Sequence, residues 1–320
     1  MDLKTQEKRY HTYNQYLKER FHKKVFKVPL NGHFTCPNKD GTKGLKGCIY
    51  CSPSGSGDFA GDPLDDLKTQ FQDGKTRLLK KWPDAYTIAY FQANTNTYKP
   101  EPVLRDLFFH SLKLDSSIVG LSIATRCDAL NDEKIALLSE LNKTTYLQVE
   151  LGLQSIHEKT STFINRGHDL ACFENAVTKL RAAGIDVVVH IINGFPIETK
   201  ADMIATTDYL NTLDIQGIKI HMLHVMKDTL LGYMYDKDPF ELLSLEAYVD
   251  IVVTQIERMK PSIIIHRVTG DSPSDQLIAP EWTRKKFVVM NEIDKLMRKR
   301  DTYQGIDYQV HKNVLKKITQ

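Results

Sequence analysis

The sequence predicts an α/β fold in which parallel strands alternate with helices. Apolar, β-branched runs of strand length recur along nearly the whole chain, and stretches with apolar residues at helical spacing lie between them. Residues that favour helix caps mark the borders of these stretches. Repeated strand–helix units form parallel sheets with right-handed crossovers, which either close into a barrel or remain an open arc.

Seven apolar runs are predicted strands: Val25–Leu30, Tyr86–Phe91, Ile118–Ile123, Tyr146–Leu153, Asp186–Ile192, Gly217–Leu223 and Ile263–Val268. The predicted helices carry apolar sets at Leu64, Leu67 and Phe71; Val103, Leu104, Leu107 and Phe108; Ile135, Leu138 and Leu141; Phe173, Ala176, Val177 and Leu180; and Met203, Ile204 and Leu210. Asn131 and Asp169 are predicted N-caps, Thr199 opens a capping box, and Gly184 follows a helix end.

The composition is that of a folded globular protein. Of its 320 residues, 41% are hydrophobic and 26% are charged, which excludes a disordered or fibrous chain. The longest apolar runs are too short to span a membrane, and the polar start lacks an apolar signal core. We therefore expect a cytoplasmic protein without a membrane partner, and a monomer as the simplest state.

The strand–helix pattern continues without a linker-like or low-complexity segment. The sequence therefore predicts one catalytic domain over residues 25–280. Residues 1–24 and 281–320 are predicted to be helical extensions rich in Lys and Arg. The net charge of +3 is compatible with a phosphate-bearing partner but is too small to require one.

Three of the five cysteines, Cys36, Cys48 and Cys51, are crowded into a glycine-rich loop after the first predicted strand. In a reducing compartment such crowding indicates a metal or redox site. An iron–sulfur cube usually takes four cysteines, so three would leave one iron open to another ligand. Two alternatives remain, namely inert thiols and a structural zinc site with His33 as the fourth ligand.

The spacing Cys36-x11-Cys48-x2-Cys51 resembles the cluster loop of the radical S-adenosylmethionine (SAM) superfamily, in the longer form seen in relatives of the Elongator catalytic subunit. The resemblance extends over about residues 20–290. It implies a partial (β/α)6 barrel of the TIM-like, radical SAM type and a [4Fe–4S] cluster held by the three cysteines. It also implies that SAM binds the open iron and is cleaved to a 5′-deoxyadenosyl radical, with an electron from a reduced flavodoxin or ferredoxin-like donor.

The same resemblance implies that SAM is contacted by residues that follow the strands, where ligands of parallel barrels bind. These residues are Gln92, Asn94, Thr95, Thr125, Arg126, Glu150, Gln154, Arg166, Gly194 and His221. The alternatives are a solvated turn for the run after the second strand, a core-edge carboxylate for Glu150 and a surface ion pair for Arg166.

The catalytic residues cannot be assigned from the sequence. Candidates near strand ends are Cys127, His221, Lys227, Arg267 and Asp271. For Cys172, on an apolar helix face, we expect core packing, and for His190, inside an apolar strand, a satisfied core histidine. With only Cys127 and Cys172 left over, a second protein-bound cluster is not expected.

Four runs resemble a compact bacterial set of radical SAM proteins that are similar to the Elongator catalytic subunit. They are Phe91–Tyr98, Glu150–Ser155, Arg267–Asp271 and Ala279–Trp282. This resemblance implies tRNA as the substrate. Its most specific form is the conversion of 5-carboxymethylaminomethyl-(2-thio)uridine at the wobble position to 5-aminomethyl-(2-thio)uridine.

Basic residues cluster near both ends of the chain. They are Lys18, Arg20, Lys23, Lys24 and Lys27 near the start, and Arg298, Lys299, Arg300, Lys312, Lys316 and Lys317 near the end. Such flanks could grip phosphates while a base is extruded into a site, or they could be ordinary solvated helix faces. Two rival functions also remain: a radical SAM enzyme for a small or porphyrin-like metabolite, and a non-catalytic, zinc-containing RNA-binding module.

Overall fold

A computed structural model describes residues 3–55 and 57–308 of the chain. These residues form two compact units. The N-terminal unit comprises residues 14–153 and 161–189, except residue 56, and the C-terminal unit comprises residues 3–13, 154–160 and 190–308. The basic residues Lys312, Lys316 and Lys317 lie outside the described residues. The predicted division into one catalytic domain and two extensions stays a prediction.

The helices and strands alternate as the sequence predicts. The helices are α1 Tyr13–Phe21, α2 Leu67–Leu79, α3 Glu101–Ser111, α4 Asp132–Thr144, α5 Glu158–Phe163, α6 Leu170–Ala182, α7 Lys200–Leu210, α8 Leu230–Lys237, α9 Leu245–Arg258 and α10 Lys286–Lys299. The strands are β1 Val25–Leu30, β2 Tyr86–Phe91, β3 Ile118–Thr125, β4 Tyr146–Gln154, β5 Asp186–Asn193, β6 Gly217–Met222, β7 Val225–Met226, β8 Ile264–Arg267 and β9 Leu277–Ala279. Short 3-10 helices cover Leu3–Thr5, Cys127–Ala129 and Glu281–Arg284.

Strands β1 to β6 and β8 are hydrogen-bonded in that order in one seven-stranded sheet. Pairing is parallel, for example between β1 and β2, where Val25 lies opposite Tyr86 and Leu30 opposite Phe91. The predicted parallel α/β fold of the radical SAM type is therefore confirmed. The antiparallel pair β7–β9 was not predicted, because strands of 2 and 3 residues are too short to show a period in the sequence.

Local signals set the helix boundaries. Asn131 accepts a hydrogen bond from the Lys134 amide at 3.0 Å, and Asp169 accepts one from the Cys172 amide at 2.8 Å. Thr199 forms the predicted capping box with Asp202. Gly184 follows α6 with a φ of +72°, a conformation that favours glycine. These predictions are confirmed.

Two apolar residues of the predicted helices are exposed. Asp66 caps α2 and accepts a hydrogen bond from the Thr69 amide at 2.7 Å, so Leu64 lies before the helix and is 92% exposed. Val103 lies in α3 and is 47% exposed, while Leu104 beside it is fully buried. The prediction of a helical position was therefore wrong for Leu64 and is confirmed for Val103.

The core of the N-terminal unit lies between the sheet and its helices. Phe91 at the end of β2 meets Phe108 of α3 edge-on, with 5.3 Å between ring centroids, and both side chains are fully buried. This packing fixes the end of β2 and the polar segment that follows it. In the described residues, no helix is long and apolar enough to cross a membrane.

Gly74 of α2 lies against β1, where a Cβ atom on Gly74 would come within 2.7 Å of Val28 Cγ1. Replacing a helix glycine by alanine normally stabilises by about 1 kcal/mol. For Gly74→Ala we expect the opposite, a loss of about 1–3 kcal/mol from overpacking, measured by urea unfolding. Val28→Ala alone should also destabilise, because Val28 is fully buried, but the loss in the double variant should be smaller than the sum of the two single losses. Simple additivity, or stabilisation by Gly74→Ala alone, would contradict this packing.

Candidate active site

The structure brings the three predicted cluster ligands together in the loop between β1 and α2. Burial above all, together with the nearby Cys51 and, to a smaller degree, Cys36, raises the pKa of the Cys48 thiol to about 11. The loop is shaped by its own backbone: the Cys36 carbonyl accepts bonds from two amides, and the Cys51 amide donates to the Cys48 carbonyl at 3.0 Å. The three sulfur atoms therefore share one neighbourhood.

This donor set fits an iron–sulfur cube. Three thiolates suit three irons and leave the fourth iron open. The Arg126 guanidinium lowers the pKa of Cys48 and so partly offsets the increase caused by burial. The zinc alternative needs its ligands around a single ion. Within residues 3–55 and 57–308, no group of three or more His, Cys, Asp or Glu side chains is arranged in that way, and His33 is exposed.

Asn38 organises the cysteine loop, and the sequence did not single it out. Its side chain is buried, and its Nδ2 donates to the Asn165 carbonyl at 2.6 Å and lies 3.8 Å from Cys48 Sγ. A Cβ atom on Gly44 or on Gly167 would come within 2.9 Å of Asn38 Oδ1. The amide thus fills a space that two glycines leave open.

Arg126 and Asp128 anchor the loop from the end of β3. Arg126 Nε and Nη2 donate to the two Asp128 carboxylate oxygens at 2.9 and 2.8 Å, and Nη1 donates to the Arg166 carbonyl at 2.8 Å. Lys43 of the cysteine loop pairs with the same carboxylate at 2.7 Å. Burial alone would raise the pKa of Asp128, but the hydrogen-bonded Arg126 holds it at about 2.

Tyr50 lies between two of the cluster cysteines and was also missed. Burial raises its pKa well above the usual value, and Cys48 and Cys51 raise it further because a phenolate would face two thiolates. The phenol is therefore neutral beside the sulfur atoms. Its position within Cys48-Ile49-Tyr50-Cys51 was the available signal in the sequence.

The segment after β2 packs on the cysteine loop. Asn94 has a φ of +61°, and its Nδ2 donates to the Phe34 carbonyl at 3.0 Å. The Thr95 amide donates to the Thr35 carbonyl at 3.2 Å, and Thr95 is buried. The alternative of a solvated turn does not hold for Asn94 and Thr95, and Gln92 is half-buried.

Glu150 of β4 is the centre of a buried polar network. Its carboxylate accepts hydrogen bonds from Ser122 Oγ at 2.8 Å and Tyr90 Oη at 2.9 Å, and it pairs with Lys27. Lys27 was grouped with the phosphate-gripping residues, and the structure corrects this, because its ammonium is committed to a fully buried carboxylate. A contact from Glu150 to the SAM ribose stays a prediction.

Arg166 is almost fully buried, so the alternative of a surface ion pair is wrong. Its guanidinium donates to the Leu153 carbonyl and, through Nε, to the His168 carbonyl at 3.0 Å. Thr125 at the end of β3 shares a 2.6 Å hydrogen bond with Thr97. The predicted SAM contacts of Arg166 and Thr125 stay predictions.

Cys127 and Cys172 are neighbours within the N-terminal unit. Burial raises the pKa of Cys127, and a hydrogen bond with Cys172 raises it further. Cys172 is only half-buried, which corrects the expected core packing, because it lies in the first turn of α6 next to its cap Asp169.

Other predicted residues belong to the C-terminal unit. The rings of His221 and His190 lie 5.2 Å apart, and burial, followed by the nearby His190, lowers the pKa of His221 well below its usual value. Arg267 pairs with Asp271, whereas Lys227 donates to the Asp275 carbonyl at 2.8 Å. Positive φ angles occur at Gln154 (+62°) and Gly194 (+106°). The roles predicted for these residues stay predictions.

Asn38→Ala should weaken cluster retention by about 10–100-fold, the usual cost of losing a group that supports metal ligands. The reason is that Asn38 holds the loop beside Cys48. Iron release to a chelator after anaerobic reconstitution measures the effect. Asn142→Ala is the matched control, since Asn142 Nδ2 also donates to a backbone carbonyl, that of Gly184, at 3.0 Å. Equal iron release from the two variants would contradict the role of Asn38.

Comparisons with known proteins show the family to which the chain belongs. The family model of the radical SAM superfamily matches residues 41–210, and that of the radical SAM C-terminal domain matches residues 215–299. The chain is 51% identical to YtqA of Bacillus subtilis over 303 residues, covering 95% of this chain and 94% of that protein. It is 34% identical to MJ0486 of Methanocaldococcus jannaschii over 301 residues, covering 92% and 90%.

Among solved structures, the archaeal Elp3 of Methanocaldococcus infernus with an N-terminal deletion has the same fold. Its TM-score is 0.66 at 17% identity, covering 89% of this chain and 67% of that one. Taken with the cysteine loop and the parallel sheet, these matches show that the chain belongs to the radical SAM superfamily, whose members use a [4Fe–4S] cluster and SAM.

Proposed function

We propose that this radical SAM enzyme modifies the wobble uridine of tRNA, converting 5-carboxymethylaminomethyl-(2-thio)uridine to 5-aminomethyl-(2-thio)uridine. The observation that carries the radical chemistry is the gathering of Cys36, Cys48 and Cys51 around one site. The other two cysteines, Cys127 and Cys172, interact with each other. Three thiolates therefore fit a cluster with one open iron.

When bound, the cluster and SAM supply reductive cleavage of a carbon–sulfur bond. The chain's own residues hold the cluster ligands and set their electrostatics. Hydrogen bonds and nearby charge tune the potential of an iron–sulfur cluster, and here Arg126 and the Asn38 amide face Cys48. The neutral phenol of the half-buried Tyr50 adds no charge beside the sulfur atoms.

The proposed substrate rests on the four runs that resemble the Elongator-like group. Phe91–Tyr98 includes Asn94 and Thr95, which bond to the cysteine loop. Arg267–Asp271 begins at the last residue of β8, and Ala279–Trp282 begins at the last residue of β9. Phe91–Tyr98 and Arg267–Asp271 thus begin at the ends of strands of the parallel sheet, where substrate contacts are expected.

A basic patch in the N-terminal unit supports a polyanionic substrate. It consists of Lys18, Arg20, Lys23 and Lys24, and the first three are exposed. Three of its cations lie over aromatic rings: Arg20 over Tyr146 at 4.4 Å, Lys23 over Tyr86 at 4.8 Å and Lys24 over Trp82 at 4.7 Å. Clustered Lys and Arg side chains at a surface favour binding to phosphates. At the other end of the chain, Arg300 is engaged by Asp250 and Glu257.

We further propose that the enzyme works in the cytoplasm as a monomer, with a reduced flavodoxin or ferredoxin-like protein as electron donor. The electron donor follows from the radical chemistry, which needs a low-potential electron for each reduction of the cluster.

Mass spectrometry of tRNA nucleosides from a strain that lacks the protein tests the proposal. We expect 5-carboxymethylaminomethyl uridines to accumulate and 5-aminomethyl uridines to be lost. The wild-type gene and the control Cys172→Ala should restore the 5-aminomethyl form, whereas Cys48→Ala should not. Unchanged wobble uridines in the deletion strain would contradict the tRNA assignment, and full rescue by Cys48→Ala would contradict the radical chemistry.

A further inference from the structure

We propose that a cavity in the C-terminal unit binds one nucleotide of the RNA substrate, with its phosphate on Lys285 and its base on Phe287. The cavity has a volume of about 450 Å³ and lies between the segment that follows β8 and the start of α10. That volume is in the range of about 300–1,000 Å³ that is usual for small-ligand sites. This inference rests on the proposed function and adds a contact remote from the cysteines in sequence.

The walls of the cavity are built by internal bonds. Arg284 donates to the carbonyls of Ser274 and Leu277, in the segment that follows β8, at 2.5 and 3.1 Å. Its Nε lies 3.1 Å from the Glu281 carboxylate. Lys286 pairs with Asp271 at 2.7 Å. Arg284 and Lys286 are therefore committed to holding the walls, and the space between them is preformed.

Charge in the cavity favours an anion. Asp271 is the carboxylate in the lining of the cavity, and it already forms ion pairs with both Arg267 and Lys286. Lys285 lines the cavity, is exposed and forms no ion pair within the part of the chain that the structure describes. The Lys285 ammonium has no carboxylate partner among the described residues, whereas Arg267 and Lys286 share the Asp271 carboxylate. The excess positive charge at Lys285 therefore favours a phosphate.

The cavity also offers an aromatic surface. Phe287 is 71% exposed and Val288 is 41% exposed, although both belong to the first turn of α10. An exposed ring beside a cation is the arrangement that single-stranded nucleic acids use, with bases stacked on the ring and phosphates on the charge. Inorganic phosphate has no apolar surface that could stack on the Phe287 ring, so a nucleotide fits the cavity better.

A half-buried histidine, His224, lies against Gly270 of the cavity lining. A Cβ atom on Gly270, which lines the cavity, would come within 2.6 Å of His224 Cε1. Burial lowers the pKa of His224 to about 4, and its buried Nε2 has no hydrogen-bond partner among the described residues. The imidazole is neutral and keeps hydrogen-bonding capacity at the back of the site.

Binding of a fluorescently labelled tRNA transcript to the full-length, reconstituted protein tests this inference. Lys285→Ala should reduce the slope of log K against log salt by about 0.7–0.9, the value for one phosphate contact. Phe287→Ala should weaken binding about tenfold at a nearly unchanged slope, and Phe287→Trp should restore it, because stacking tolerates a different ring. Lys295→Ala on the same helix and Tyr233→Ala, an exposed aromatic on α8, are the matched controls.

The outcomes separate this inference from the proposed function. If the wild type binds tRNA in a salt-dependent manner but the cavity variants bind like the controls, the cavity assignment is wrong and the tRNA substrate stands. If the wild type shows no salt-dependent binding, the proposed function fails as well. Titration with AMP distinguishes a free nucleotide: AMP binding that the cavity variants lose, with unchanged tRNA binding, would overturn the RNA assignment.

Discussion

The site depends on one constraint, which is that three thiols must be held together by a loop without regular secondary structure. Asn38 meets that constraint by filling the space between Gly44 and Gly167 while bonding to the Asn165 carbonyl. Asn165 returns a bond from its own side chain to the Gly47 carbonyl at 2.7 Å. The loop is thus tied to the segment after α5 by these two side-chain bonds and by a backbone bond from the Ile49 amide to the Ile164 carbonyl at 3.0 Å. A substitution at Asn38 therefore affects the position of the cysteines.

The charges around the loop follow from the same arrangement. Arg126 would face buried thiols without compensation if Asp128 did not bind it through two hydrogen bonds. Asp128 also forms an ion pair with Lys43 of the loop. The same carboxylate therefore orients Arg126 towards the sulfur atoms and stabilises the loop. Glu150 has a parallel role in the sheet, where Lys27, Ser122 and Tyr90 satisfy a buried carboxylate. Breaking such a pair from one side usually costs about 3–5 kcal/mol, because it leaves a buried charge alone.

Much of the fold could be predicted from the sequence, and the limits have physical causes. The bounds of β1 and β2 agree with prediction because both segments are rich in apolar and aromatic residues, Lys24 and Asn31 flank β1, and Gln92 follows β2. Lys27 was misassigned because its neighbours in sequence are basic, whereas the alternation of side chains in β1 decides its surroundings. Asn38 could not be ranked, since its importance comes from Asn165 and Gly167, which only the folded chain brings near. Tyr50 could have been found from its place between Cys48 and Cys51. The roles of His221, Arg267 and Asp271 depend on substrate contacts, which the sequence cannot define.

Spectroscopy of the anaerobically reconstituted protein tests the central claim most directly. If three cysteines hold a cube with an open iron, the wild type should contain about four iron and four sulfide per chain. Addition of SAM should then change the electron paramagnetic resonance spectrum of the reduced cluster, and Cys48→Ala should lose the signal. A protein that retains one zinc without sulfide, or a reduced cluster whose spectrum does not respond to SAM, would contradict the account.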